Sequence, residues 1–194
     1  MITDKDRSYY IGASDTERVI QSWETKTFEK WWMVKQGFAI NDFENISMQT
    51  GNALEHRILD ALEISDLVHD EQKIIGRLRV NLDARAGGVI YECKTHKYKK
   101  NWKPPLRYYR QVWVQINHFD ADRGEIVAYE LTPEEYENWY LPIDLRRIRR
   151  FPVLPNKGFI REYMPRERYL EYCLEHGIYP KESEVKKWNL EQGF

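Results

Sequence analysis

The sequence predicts an α/β (α+β) protein in which helices flank a central mixed β-sheet. Apolar residues recur at helical spacing between residues 14 and 62, and the period changes to two between residues 77 and 94. After that point a helical run, a strand-like run and further helical runs follow one another. Helices that precede and follow a group of strands pack as layers against one sheet, which gives this fold class.

The first part of the chain predicts three helices. SDTERVIQSW begins at Ser14 and has a glutamate three residues on, which is the spacing of a capping box. TKTFEKWWMVKQG ends at Gly37, a typical C-terminal stop. The third helix covers residues 47–62, where leucine and isoleucine form an apolar stripe at helical spacing. Glu55 lies beside that stripe, so we expect it at the edge of the core.

The next segment predicts an antiparallel hairpin. RLRVNLD alternates apolar and polar residues and ends at Asp83, ARAGG is typical of a turn, and VIYECK forms the second strand. Side chains two residues apart share one face of a strand, so Glu92 and Lys94 point the same way. Across the hairpin, Asp83 and Glu92 would lie close together.

The remaining elements follow in order. THKYKKNWKPP is a basic, aromatic loop, and LRYYRQVWVQINHF is a helix with Arg107, Gln111 and Gln115 on one side. EIVAYEL is a strand, and Thr132 then starts a helix that runs towards RRIRR, with two short helices in the tail. The sequence contains no internal repeat or flexible linker, so we predict a single domain over residues 1–194.

Two carboxylates and a lysine on adjacent strands are typical of a metal-dependent active site. Asp83 and Glu92 could bind one divalent ion, and oxygen ligands suit Mg²⁺ or Mn²⁺. Lys94 could then orient or deprotonate a water molecule, or stabilise a pentavalent phosphate. The alternative is a surface hairpin with a solvated Glu–Lys pair, which arises often by chance. These three residues alone leave both interpretations open.

Four motifs together resemble those of a known nuclease family. GNALE ends at Glu55, NLDA contains Asp83, ECK covers Glu92 to Lys94, and YRQV contains Gln111. In combination they resemble the PD-(D/E)XK nucleases, and within them the YqaJ-like, lambda exonuclease-like phage-type exonucleases. The resemblance covers residues 7–129 and implies a restriction-endonuclease-like core.

The resemblance also implies roles for individual residues. The catalytic set would be Asp83, Glu92, Lys94, Gln111 and Glu55. The metal ligands would be Asp83, Glu92, Glu55 and the main-chain carbonyl of Cys93. The opening YIGASD matches the group's pattern, which implies that Arg7 and Ser14 bind a DNA phosphate, in particular a 5′-phosphate. Leu82, Ala84 and Trp113 depart from the usual residues of the group, but every charged catalytic position is present.

DNA binding must come from local basic patches, because the net charge of the chain is only −1. The candidate phosphate ligands are Lys97, Lys99, Lys100 and Arg107, with Tyr98 and Trp102 as candidate stacking residues. A solvated charged loop explains the lysines equally well. The arginines of residues 146–150 are a second candidate phosphate contact, or a cationic helix end favoured by the helix dipole.

These observations predict a Mg²⁺-dependent deoxyribonuclease, in particular a 5′-to-3′ exonuclease on linear duplex DNA in phage or prophage recombination. The resemblance implies a homo-oligomer, a trimer that encircles DNA, with a single-strand annealing protein as partner. The alternatives are an endonuclease of the repair or restriction kind, and a non-catalytic DNA-binding or phage assembly module. Two cysteines exclude the four-cysteine iron–sulfur nucleases. The polar N-terminus and the lack of a membrane-length apolar stretch predict a cytoplasmic protein.

Overall fold

The computed structural model describes residues 8–40 and 45–194. The helices are α1 (Thr16–Ile20), α2 (Lys26–Lys35), α3 (Ile46–Asp60), α4 (Leu106–Phe119), α5 (Lys157–Glu175) and α6 (Val185–Glu191). The strands are β1 (Val68–His69), β2 (Gln72–Ile75), β3 (Leu78–Asn81), β4 (Ala84–Ala86), β5 (Val89–Lys97), β6 (Arg123–Leu131) and β7 (Ile148–Val153). Short 3₁₀ turns stand at Ala13–Asp15, Pro133–Tyr136, Leu145–Arg147 and Glu182–Glu184.

The described residues group into two compact units whose segments alternate along the chain. The first unit contains residues 8–40, Lys73–Val80 and Asn156–Phe194, and the second contains residues 45–72 and Asn81–Pro155. That a single domain covers residues 1–194 stays a prediction.

The second unit is built on a five-stranded mixed sheet with the order β1-β4-β5-β6-β7. Strands β5 and β6 are parallel, and the other pairings are antiparallel. Because parallel neighbours need a long crossover, α4 lies between β5 and β6 in the chain and packs on both strands. Gly124 permits this close packing, since a Cβ there would stand 2.3 Å from Val112 Cγ1. The predicted α/β (α+β) fold class with helices around a mixed sheet is confirmed.

The two faces of β5 have different environments. Tyr91 and Cys93 belong to an apolar core that α3 shares through Leu54 and Ile58. Glu92, on the alternate face, receives hydrogen bonds from side chains of α4. Strand pleating therefore directs Cys93 into packing, and it directs Glu92 towards the polar site described below.

The predicted hairpin was wrong in the position of its turn and in its first strand. Residues 84–86, expected in the turn, form β4, and the turn is the Gly87–Gly88 pair, with Gly87 in the left-handed region at φ 54°. Strand β3 pairs with β2 and not with β5. Burial alternates from Leu78 to Ala84, but the ladder breaks after Asn81. Asp83 consequently lies between two strands and not within one.

Two predicted helix signals mark 3₁₀ turns. Ser14 lies inside the turn Ala13–Asp15, and α1 begins only at Thr16. The Gly12 N–H donates to the Asp15 carboxylate at 2.9 Å, so Asp15 caps this turn in place of the predicted capping box. Thr132 is an N-cap residue, but the element that follows it is a 3₁₀ turn of four residues and not an α-helix.

The predicted long helix after Thr132 is absent, and the arginine cluster enters β7 as part of the sheet. A helix dipole therefore does not explain that cluster. The two helices predicted in the tail are present as α5 and α6, but α5 is longer than expected, because it begins at Lys157 and continues through Pro165.

The first unit packs around aromatic side chains. Trp23, Phe28, Trp32 and Tyr169 are each at most 2% exposed. The Trp23 and Phe28 rings lie 5.5 Å apart, and the Phe28 and Trp32 rings 6.0 Å apart. The N-cap Thr25 hydroxyl accepts from the Phe28 N–H at 3.1 Å, so this helix begins where the sequence places it. Residues 8–40 and 45–194 contain no helix both long and apolar enough to cross a membrane.

Candidate active site

Asp83 is held beside β5 by a main-chain hydrogen bond. The Cys93 N–H donates to Asp83 Oδ2 at 2.7 Å. In the β4–β5 register Ala84 lies opposite Tyr91, so the residue before Ala84 comes level with Glu92. The turn at Gly87–Gly88 thus brings together two carboxyl groups that are nine residues apart in the chain.

Glu92 is the most buried carboxyl group of the site, with 1% of its surface exposed. Lys94 donates to its Oε1, as expected for side chains two apart on a strand. Gln111 Nε2 donates to the same oxygen at 2.5 Å. Gln115 Nε2 donates to Oε2 at 2.5 Å and also contacts the Asn81 carbonyl oxygen at 3.1 Å. Two amides and one ammonium group therefore orient this carboxylate.

Gln115 was not among the predicted catalytic residues. It is fully buried and stands one helical turn after Gln111, so both reach the same carboxylate from one face of α4. The four-residue spacing was visible in the sequence. Only the structure shows that the face carrying both amides is the one directed at Glu92.

We expect Gln115→Leu to lower both the affinity for the activating metal and the rate of hydrolysis by about 10- to 100-fold. Glu92 would lose the donor that holds Oε2, and its carboxylate would turn. The measurement is a Mg²⁺ titration of activity together with a thermal melt. The shift of the titration midpoint separates a positioning role from a loss of fold. Gln49→Leu, an exposed glutamine of α3, is the matched control. An unchanged midpoint in Gln115→Leu would contradict this role.

Burial and like charges perturb the acidic groups. Burial raises the pKa of Asp83 well above its usual value, and the charges of Glu92 and Glu55 add to that effect. Burial, followed by the charge of Glu92, raises the pKa of Glu55 to about 7. Burial opposes the charge of Lys94, but the Glu92 and Asp83 carboxylates outweigh it and raise the Lys94 pKa above its ordinary value.

This donor set fits a divalent cation of the Mg²⁺ or Mn²⁺ class. Three carboxyl groups interact with a single ammonium group, and burial together with the like charges raises the pKa values of Glu55 and Asp83. A divalent cation with oxygen ligands would offset this excess of negative charge. A carboxylate has about four lone-pair sites, so the three donors to Glu92 leave Oε2 room for a cation. Asp83, Glu92, Glu55 and the Cys93 carbonyl are the residues that would hold it.

Comparisons with known proteins give matches among solved structures. No family model matches the sequence, and no curated protein matches it. The alkaline exonuclease LHK-Exo from Laribacter hongkongensis superposes with a TM-score of 0.65 at 14% identity, covering 98% of this chain and 96% of that one. A phage related exonuclease from Haemophilus somnus 129PT gives a TM-score of 0.60 at 15% identity, covering 87% and 96%. The chain has an exonuclease-like fold.

The exonuclease-like fold extends over nearly the whole chain. The structure of LHK-Exo in complex with dAMP gives a TM-score of 0.66 at 14% identity, over 98% of this chain and 96% of that one. The resemblance read from the four motifs covered residues 7–129, and the structural similarity reaches far beyond that limit. The resemblance is therefore confirmed at the level of the fold, and the residue roles that it implies stay predictions.

The exonuclease-like fold leaves the predicted lysines accessible at the end of β5. Lys97, Lys99 and Lys100 are exposed, and so is Tyr98 at 73%. Trp102 is half-buried, because its ring stacks on His96 at 4.0 Å. Tyr98 therefore remains the aromatic residue of this loop that a nucleotide base could reach.

Tyr108 lies between Lys94, the predicted catalytic lysine, and Arg107, the predicted phosphate ligand on α4. Lys94 Nζ lies 5.4 Å from the centre of the Tyr108 ring, and the guanidinium of Arg107 lies 5.0 Å from it. Arg107 is exposed at the first turn of α4. Both cations thus border one aromatic ring, which places positive charge next to the carboxylate site.

The remaining predicted DNA ligands lie elsewhere or outside the described residues. Ser14 is exposed and belongs to the first unit, while Arg7 lies outside the described residues. The arginines of residues 146–150 have protein partners. Arg147 donates to the buried Glu135 at 2.6 Å, Arg150 donates to Glu125, and Arg146 pairs with Asp144. These arginines therefore pair with acidic side chains of the protein, and a phosphate contact by the cluster stays a prediction.

Proposed function

We propose that this protein is a Mg²⁺-dependent deoxyribonuclease that degrades linear duplex DNA from its ends, with 5′-to-3′ polarity. The observation that carries the proposal is the convergence of Asp83, Glu92 and Lys94 beside the central strand β5 of an exonuclease-like fold. The structural neighbours named above are exonucleases, and one of them binds dAMP. Both facts support a deoxyribonucleotide substrate.

The residues of the chain divide the chemistry among them. Mg²⁺, when bound, would polarise the phosphodiester and supply a nucleophile at neutral pH. Lys94 acts as a cationic hydrogen-bond donor to a phosphate oxygen, because its raised pKa keeps the side chain protonated. That charge state favours stabilisation of the phosphate over removal of a proton from water. Gln111 and Gln115 hold the Glu92 carboxylate in place.

The proposal extends to assembly. A net charge of −1 gives one chain little long-range attraction for DNA, so exposed basic residues must act together around the duplex. A homo-oligomer, a trimer by resemblance, would gather several copies of the lysines that follow β5. A single-strand annealing protein would receive the strand that remains after resection. The proposed location is the cytoplasm of a bacterial host.

Substrate topology tests the proposal. With Mg²⁺, we expect end-labelled linear duplex DNA to be degraded at least about 100-fold faster than a covalently closed circle, because an exonuclease requires an end. EDTA should stop the reaction. Release of label from the 5′ end before the 3′ end would support the proposed polarity.

Each failure of that assay has its own meaning. Cleavage of the closed circle at a similar rate would favour the endonuclease alternative. Binding of DNA without cleavage, in Mg²⁺ or in Mn²⁺, would favour the alternative of a non-catalytic DNA-binding module. The non-catalytic module is disfavoured, since Asp83, Glu92 and Lys94 are all in place and ordered by hydrogen bonds.

A further inference from the structure

A second group of metal-ligand side chains shares Glu55 with the proposed Mg²⁺ site, and its other two members have no role in the proposed hydrolysis. Glu55 and His56 are neighbours on α3, and Asp70 lies between β1 and β2. One ligand atom from each of the three lies within 4.8 Å of the other two. All three residues belong to the second unit, and two of them are exposed to solvent, which gives an ion a direct path to the group.

The spacing of two of these atoms already suits a shared ion. His56 Nε2 and Asp70 Oδ2 are 3.1 Å apart. Two ligands bound tetrahedrally at about 2.1 Å from Zn²⁺ stand about 3.4 Å from each other. Small side-chain rotations would therefore let both atoms bind one ion, with the Glu55 carboxylate as the third ligand and water as the fourth.

Neighbouring contacts restrict where these side chains can go. The His56 ring lies against the His69 ring at 4.4 Å, and His69 Nε2 is bonded to Asp60 Oδ1 at 2.8 Å. Asp70 has a left-handed backbone at φ 55°, and its N–H donates to the Asp83 carbonyl oxygen. Contacts of this kind, which orient ligands from behind, are typical of metal sites.

His69, whose ring lies against that of His56, has one ring nitrogen unpaired among the described residues. With Nε2 paired to a carboxylate, the neutral ring carries its lone pair on Nδ1. That Nδ1 is buried and has no hydrogen-bond partner among the residues that the structure describes. A buried nitrogen lone pair beside the His56 ring is a group that a bound ion, or its water, would satisfy.

Charge points the same way. Glu55 is repelled by two like-charged neighbours, Glu92 and Asp70. A divalent ion between Glu55 and Asp70 would relieve this repulsion. An imidazole ligand suits Zn²⁺ and similar transition metals, whereas Mg²⁺ prefers oxygen ligands and its own water.

We propose that Glu55, His56 and Asp70 form a second metal site that selects a transition-metal ion of the Zn²⁺ class over Mg²⁺. An ion bound there takes the Glu55 carboxylate away from the catalytic group. Occupation of this site therefore inhibits hydrolysis, a consequence that rests on the proposed function, whereas the site itself does not.

Metal binding is the primary test, and it needs no nuclease activity. The protein is stripped with EDTA and carries Asp83→Asn, which removes the proposed Mg²⁺ site. Zn²⁺ is then titrated against a chromogenic chelator, and Co²⁺ is followed by its visible absorption. We expect one bound ion, a visible Co²⁺ band, and at least tenfold weaker binding in His56→Gln. His176→Gln, a histidine on the first unit, is the matched control and should bind as the parent does.

Three outcomes would overturn the site. The first is an equal Zn²⁺ affinity in His56→Gln and in its parent. The second is that Asp83→Asn by itself abolishes Zn²⁺ binding. The third is that His176→Gln weakens Zn²⁺ binding as much as His56→Gln does. Thermal melts of each metal-free variant report folding, and Asp70→Asn provides a second variant should His56→Gln unfold. A nuclease assay with Zn²⁺ added to excess Mg²⁺ then tests inhibition separately. A protein that binds Zn²⁺ but degrades no DNA would refute only the proposed function.

Discussion

Lys94→Met is expected to lower Mg²⁺-supported degradation of linear duplex DNA by about 10³-fold, the loss typical of a charged group that stabilises a transition state. The lysine is held against Glu92 and Asp83 with a raised pKa, so it carries its charge at neutral pH. Methionine retains the length of the side chain and loses only the ammonium group. The rate is measured on end-labelled DNA under single-turnover conditions.

The control for this result is Lys97→Met, which removes an exposed lysine three residues further along β5. It should weaken DNA binding at physiological salt and leave the single-turnover rate at saturating enzyme nearly unchanged, since phosphate contacts supply affinity. DNA binding by Lys94→Met should in turn stay within about threefold of the parent, because one phosphate contact contributes little to a salt-dependent interface. Full activity in Lys94→Met would remove the catalytic assignment of this residue.

Asp83→Asn is expected to stabilise the metal-free protein while it abolishes the response to Mg²⁺. Burial and two neighbouring carboxylates raise the Asp83 pKa, so an ionised Asp83 is destabilising when no cation is present. An amide keeps the size of the side chain and removes the charge. We expect a gain of about 1 kcal/mol, or a melting temperature about 2–4 °C higher for a chain of this size.

The pH dependence of stability has a definite sign. Asp83 and Glu55 bind protons more tightly in the folded than in the unfolded chain, because both pKa values are raised on folding. Their contribution to stability is therefore complete below the unfolded pKa and is lost as pH rises through the folded pKa, which for Glu55 is about 7. The metal-free protein should therefore become more stable, through these two groups, as the pH is lowered from 8 to 5.

Thermal melts at several pH values, with and without Mg²⁺, check these expectations. Asp83→Asn with Glu55→Gln should flatten the pH dependence in this window. Mg²⁺ should raise the melting temperature of the parent, since a ligand of the folded state stabilises it, and should have no effect on Asp83→Asn. A less stable Asp83→Asn, or one that still responds to Mg²⁺, would show that Asp83 is not the charged ligand.

Local features of the structure followed from the sequence where the signal lies within a few residues. Helix α4 has the predicted bounds, because its apolar period and the preceding prolines are both local signals. Glu92 and Lys94 share a face for the same reason, since strand pleating alone determines it. The nuclease motifs are accordingly local features of the sequence.

Features that depend on strand partners could not be predicted in this way. Residues 84–86 carry turn-like alanines next to two glycines, yet they pair with β5 and β1. The segment after Thr132 has a strong helix-start signal, yet its arginines enter a strand that pairs with β6. In both cases the deciding hydrogen bonds come from a partner strand that local propensity does not encode.

The sequence by itself determined the local elements, the mixed sheet flanked by helices, and the set of charged residues that makes metal-dependent hydrolysis the natural hypothesis. Only the tertiary structure decided that Gln115 orients Glu92 and that His56 meets Asp70. The physical reason is the distance along the chain over which each kind of signal acts. Periodicity and capping act over one or two turns of chain, whereas a buried carboxylate takes its donors from whichever side chains the packing of distant segments brings to it.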